Sequence, residues 1–112
     1  MIISFAKTKK EFLSGNKTVT RRAWKTKHLK QWQKAWDEGR LIHQAWSKIP
    51  IAGGRFLAKI KLTCRPYLEK LSDMSSEDLL AEGGMCETLG EFCKLVDKSP
   101  SDTMAVIRFF KI

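Results

Sequence analysis

The chain has 112 residues, with 21 Lys and Arg against 12 Asp and Glu, for a formal net charge of +9 and 43% apolar residues. That length supports one domain with a single core, and no apolar run approaches the roughly 20 residues needed to cross a bilayer. The opening Met1-Ile2-Ile3-Ser4-Phe5-Ala6 is too short for a signal peptide. Three cysteines, an odd number without metal-ligand spacing, point away from a disulfide framework or zinc site and toward a reducing cytoplasm. No cofactor is expected.

In chain order, Ile2–Phe5 reads as a first strand. Thr8–Leu13 reads as a short helix, with Thr8 as N-cap and Glu11 three residues on. Gly15-Asn16 is a turn signal, and Lys17–Arg22 is predicted as a second strand. Along that strand Lys17, Val19 and Arg21 share one side, and Thr18, Thr20 and Arg22 the other. From Thr26 the period changes to that of a helix. Leu29, Trp32 and Trp36 form the apolar face and Lys27, Lys30 and Lys34 the opposite one, with Gly39 as the stop. Leu41, Ile42, Ala45 and Trp46 suggest a second short helix ending before Pro50, so residues 24–48 are expected to be a helical insertion.

Arg55–Leu62 alternates as a half-buried strand, Pro66 interrupts it, and Tyr67–Leu71 resumes it. Ser75 or Ser76 caps a helix to about Ala81, with acids in its first turn where the helix dipole favours them. Gly83-Gly84 ends that helix, Leu89–Val96 is another, and Met104–Ile112 closes the chain as a strand. Strands at the start, middle and end of a helix-rich chain predict a mixed α+β domain over residues 1–112.

Charge is unevenly spread. Between Phe12 and Trp36 there are seven Lys or Arg (Lys17, Arg21, Arg22, Lys25, Lys27, Lys30, Lys34) and no acid, whereas Glu69 to Asp97 holds eight acids and two bases. The molecule should therefore be dipolar, with a positive side that attracts polyanions in a salt-dependent way. Arg21 and Arg22 are candidate ligand contacts, since a guanidinium fork grips phosphate or stacks on a base. Their alternative role is ion pairing with the acidic stretch. Trp24 follows Arg22 closely and is the best stacking candidate, while Lys27, Lys30 and Lys34 would line a phosphate track or be a solvated face. Trp32 and Trp36 belong to the core. His28 and His43, with no carboxylate spaced to orient them, read as packing or surface residues.

The order of Gly15-Asn16-Lys17-Thr18-Val19-Thr20-Arg21-Arg22, Pro66-Tyr67, Leu71-Ser72-Asp73-Met74 and Ala81-Glu82-Gly83-Gly84 resembles the ASCH family of PUA-like domains over nearly the whole chain. The resemblance implies a small β-barrel of about five or six strands with flanking helices, and RNA or a nucleoside or nucleotide as partner. In ASCH members that hydrolyse the acetyl amide of acetylated cytidine, a Lys, a Thr and a later Glu form the active site. Carried over, Thr20 is the nucleophile, Lys17 its base and Glu82 a proton partner or substrate anchor. A Lys serves so only if burial and neighbouring cations lower its pKa. The chain thus carries three readings: an RNA- or nucleotide-binding cleft, a small hydrolase on acetylated cytidine or RNA, and a protein-interaction module using the Trp-rich stretch.

Overall fold

The computed structural model describes all 112 residues. Six strands form one mixed sheet: β1 (Ile2–Ser4), β2 (Val19–Arg22), β3 (Ile42–Trp46), β4 (Phe56–Leu62), β5 (Tyr67–Lys70) and β6 (Thr103–Lys111). The helices are α1 (Lys9–Leu13), α2 (Thr26–Asp37), α3 (Ser76–Ala81) and α4 (Leu89–Val96), with single 3₁₀ turns at Pro50–Ala52 and Leu71–Asp73. The sheet runs β1-β3-β4-β6-β2, with β5 also on β6; β1 and β3 are parallel and every other pair is antiparallel.

The closing strand organises this sheet because its nine residues serve both edges. Val106 is opposite Arg21 of β2 on one edge and Tyr67 of β5 on the other. Further along, Phe109 is opposite Leu62 of β4. Strands β4 and β5 thus lie end to end along one edge of β6, separated by residues 63–66, where Pro66 has no N–H to give to a ladder. The apolar run Met104–Ile107 is buried throughout, as a central strand covered on both faces requires.

Two expectations are corrected. Residues 42–46 are a strand, not a helix. Ile42 and Gln44 are exposed while His43 and Ala45 are buried, an alternation of period two that overrides the helical look of the apolar quartet. Residues 24–48 therefore hold one helix and a strand lying between β1 and β4. The sheet also does not close into a barrel. Its end strands β1 and β2 share no ladder; instead the Arg22 guanidinium donates to the Ser4 carbonyl across the gap.

Two apolar clusters result. The larger joins the sheet to α1 and α2 through Phe5, Phe12, Trp32, Ile60, Ile107 and Phe109. The smaller packs Leu79, Phe92 and Cys93 of the last two helices against Leu71 and Met104. No helix is long and apolar enough to cross a membrane.

Candidate functional site

The approach to β2 brings the N-terminal motif against the end of α3. Ser75 caps that helix by accepting from the Asp78 amide, and the chain leaves it at Glu82. A helix end leaves carbonyls without intrahelical partners. The Thr18 amide donates to the Ala81 carbonyl at 2.7 Å, and Lys17 Nζ donates to the Glu82 carbonyl at 3.0 Å. The same ammonium donates to Glu82 Oε2 at 2.5 Å, so two residues 65 positions apart meet as a buried ion pair. Next to it the chain turns through Gly83, whose φ of 128° is costly for any other residue. A Cβ there would stand 2.9 Å from Cβ and Cγ of Glu11, so this turn also depends on a close approach to α1.

Strand alternation sorts the remaining motif residues. Lys17 and Arg21 reach the acidic helix α3 and its C-cap Glu82, and both are buried, as is Val19 between them in sequence. The Arg21 side chain is 0% exposed and donates to Glu69 Oε1 at 2.6 Å and Asp78 Oδ2 at 2.7 Å. Its Nη1 stands 3.6 Å from Glu82 Oε1, too long for a hydrogen bond, and both atoms, like Arg21 Nε, are buried without a partner. Arg108 completes the network by a two-pronged grip on Asp78 at 2.7 and 2.8 Å and a bond to the Tyr67 hydroxyl. On the other side of the strand, Arg22 Nε donates to Thr20 Oγ1 at 3.2 Å, and the guanidinium lies 5.2 Å over the Phe5 ring.

Lys17, Thr20, Arg21, Arg22 and Glu82 border a cleft of about 360 Å³. Lys17, Thr20, Arg22 and Glu82 form its polar end. Met85, Phe92, Leu95 and Val96, from α4 and the loop before it, supply an apolar wall, and the exposed Lys7 and Asp97 also line the cleft. Arg21 belongs to the cleft's border, but its sealed guanidinium acts through Glu82 instead of touching the contents.

The electrostatics set Arg22 apart. Four cations (Lys17, Arg21, Arg22, Arg108) meet three carboxylates (Glu69, Asp78, Glu82), and only Arg22 lacks a carboxylate partner. Burial pushes its pKa down to about 10, with Glu82 only partly opposing the shift. Burial likewise lowers the Lys17 pKa, which Glu82 pulls back without restoring it. For Asp78, burial works to raise the pKa, but the hydrogen bonds from Arg108 and Arg21 outweigh it and hold the carboxyl below its usual value. Lys17 makes no hydrogen bond to Thr20, whose hydroxyl oxygen is instead paired with Arg22. No group of three or more His, Cys, Asp or Glu is arranged to hold a metal ion.

The structure thus brings Lys17, Thr20, Arg21, Arg22 and Glu82 together and leaves Trp24, Lys27, Lys30 and Lys34 outside the cleft. Trp24 stacks on His28 with ring centroids 4.1 Å apart and leans on Trp32 at 5.2 Å. The three lysines, with Thr26 and Gln31, line a separate shallow depression on α2. Sequence reasoning missed Asp78, Arg108, Met85 and the α4 wall. Arg108 had left a trace, as a lone cation within the apolar run Met104–Phe110. Asp78 read only as a first-turn helix acid. No family model, curated protein or solved structure matches the chain.

Proposed function

We propose that the cleft binds one nucleotide unit of RNA, and that the chain is an ASCH-like domain of the PUA-like class. The observation that carries this reading is Arg22: a half-buried guanidinium that lines the cleft and has no carboxylate to neutralise it. Keeping such a cation unpaired costs free energy that an anionic ligand recovers, and an Arg fork suits a phosphate oxygen pair. The buried network leaves one positive charge in surplus, and the exposed Lys7 and Asp97 that also line the cleft cancel each other, which matches one phosphodiester better than a polyphosphate. The apolar wall of Met85, Leu95 and Val96 supplies a surface for a base, and the cleft volume lies at the small-ligand end of binding sites. The ASCH resemblance gains support from the meeting of two of its motif residues, Lys17 and Glu82, at the cleft's polar end.

Hydrolysis of an acetylated cytidine is the second reading, favoured by one observation: burial lowers the pKa of Lys17, as a basic amine needs. In that reaction the neutral amine takes the Thr20 hydroxyl proton as Oγ adds to the acetyl carbon. The carbon–nitrogen bond breaks, the leaving amine receives the proton, and water then cleaves the acyl-threonine ester. Thr20 must first give up its Arg22 bond and turn toward Lys17.

The test is titration of the protein with cytidine and uridine monophosphates and their nucleosides by calorimetry, alongside mass analysis of acetylated cytidine. Nucleotide binding that exceeds nucleoside binding, and falls ten- to a hundredfold in Arg22→Gln, is expected from the loss of one charge-assisted contact. Equal affinity for nucleotide and nucleoside, unaffected by Arg22→Gln, refutes the phosphate role. Release of acetate that stops in Lys17→Ala and Glu82→Gln establishes the hydrolase.

A further inference from the structure

The exposed face of α2 is a second basic surface with a different construction. Lys27, Lys30 and Lys34 are all exposed, recur along one side of the helix opposite the buried Leu29, Trp32 and Ala35, and take part in no ion pair. The acids of α2 and its C-cap, Asp37 and Glu38, lie at its far end, and each already has an arginine. Asp37 is held by Arg65 at 3.0 and 3.2 Å, and Glu38 by Arg40 at 2.5 Å. The lysines are therefore left without neutralisation.

Placement at the helix start strengthens the case. The first turn of α2 has no acid, and its N-cap is Lys25 with no side-chain cap bond. Cations there oppose the helix dipole, and stability alone would favour Asp or Glu. The dipole and the lysines add to one positive field at the start of α2. Arg22 ends β2 four residues before α2 begins, and its charge reaches His28 in the first turn. His28 accepts from the Trp32 indole through Nε2; burial first, and Arg22 second, lower its pKa. The neutral His28 ring in turn supports the face of Trp24. Cleft, Trp24–His28 stack and lysine face thus follow one another along the chain.

We infer that α2 is a backbone track for single-stranded RNA, whose chain leaves the cleft past Trp24 and lays phosphates along Lys27, Lys30 and Lys34. This rests on the cleft holding one nucleotide unit, and it adds a partner: a strand several nucleotides long instead of a free mononucleotide. For single strands the slope of log affinity against log salt is about −0.7 per phosphate neutralised, so the three lysines contribute about 2 to that slope. Between 50 and 200 mM salt they account for about a twentyfold loss of affinity.

The experiment measures binding of a fluorescent ten-nucleotide RNA across that salt range, for the wild-type chain and for Lys27→Gln/Lys30→Gln/Lys34→Gln. Cytidine monophosphate is titrated in parallel. Gln has a similar helix propensity and the sites are exposed, so thermal unfolding should not fall. A salt slope shallower by about 2 in the variant, with unchanged mononucleotide affinity, is the expected result. An unchanged slope, or no salt-sensitive RNA binding by the wild-type chain, overturns the track. Loss of slope in the variant combined with no mononucleotide binding by the wild-type chain refutes the cleft reading and, with it, the path from cleft to track.

Discussion

The Lys17–Glu82 pair should behave as one unit, and a double-mutant cycle measures how far it does. At 2.5 Å, with an effective dielectric near 20, the gross attraction is about 7 kcal/mol, much of it offset by the cost of burying both charges. Removing one partner leaves the other buried and unpaired. Glu82→Gln keeps the volume and an oxygen for Lys17, but deprives the ammonium of its countercharge while Arg22 still repels it. The expected loss is about 3 kcal/mol, near the low end for broken buried pairs. Lys17→Met should cost less, about 2 kcal/mol, because Glu82 retains Arg21 Nη1 at 3.6 Å as a replacement.

Lys17→Met with Glu82→Gln removes both charges together and should also cost only about 2 kcal/mol, since neutral replacement of a whole buried pair leaves no unpaired ion behind. The coupling energy is then about 3 kcal/mol. Urea unfolding at pH 7 reads these values from shifts in midpoint at constant slope. Thermal unfolding should show Glu82→Gln about 12 °C below wild type, given the usual unfolding entropy per residue. Single losses that add to the double loss within about 0.5 kcal/mol would show that the two groups do not interact, and the assembly of the cleft's polar end around them would be wrong.

Stability should also fall in mild acid because of His43. The ring is buried with Nε2 3.1 Å from the Arg40 carbonyl, and burial, aided by the nearby Met1 ammonium, lowers its pKa to about 4. The unfolded chain binds a proton below about pH 6.5 that the native ring refuses, so stability declines as pH drops from 6.5 toward 4. Allowing for solvent at the ring's edge, about 2 kcal/mol should disappear between pH 7 and 4.5, and His43→Gln should flatten that part of the urea-midpoint profile. Ser75→Ala removes the side-chain cap of α3 and should cost about 1 kcal/mol, seen as a melting point about 4 °C lower.

Local signals carried the elements where period and punctuation agreed. The α2 face was readable because Leu29, Trp32 and the lysines repeat without interruption, and the β6 strand because it is almost wholly apolar. Residues 42–46 were not, since four apolar residues within the six from Leu41 to Trp46 are too few to fix a period, and only pairing with β1 and β4 decides it. The basic residues of the N-terminal motif stand out by composition, while Lys17, Thr20 and Glu82 are grouped only by the resemblance to ASCH domains. What composition could not supply was their partners. Asp78 and Glu82 stand 57 and 61 residues beyond Arg21, and nothing local says which carboxylate answers which cation. The cleft's apolar wall was invisible for the same reason: Leu95 and Val96 look like ordinary inward positions of a short amphipathic helix.

The pairing of charges changes what a basic segment means here. Read alone, the stretch from Lys17 to Lys34 suggests one continuous polyanion surface. In the fold its two halves separate by mechanism. Lys17 and Arg21 are committed to carboxylates from the acidic stretch, so they shape Glu82 and contribute little net field. Arg22 brings the one buried charge without a carboxylate partner into the cleft, where partial desolvation makes it count for more than the exposed Lys7 that also lines it. The lysines of α2 bring theirs into open solvent, where screening is strong and only their number matters. Mutating the first kind should therefore change which ligand is chosen, and mutating the second should change how steeply binding depends on salt. A variant that did the reverse would show that burial does not divide the roles of these cations.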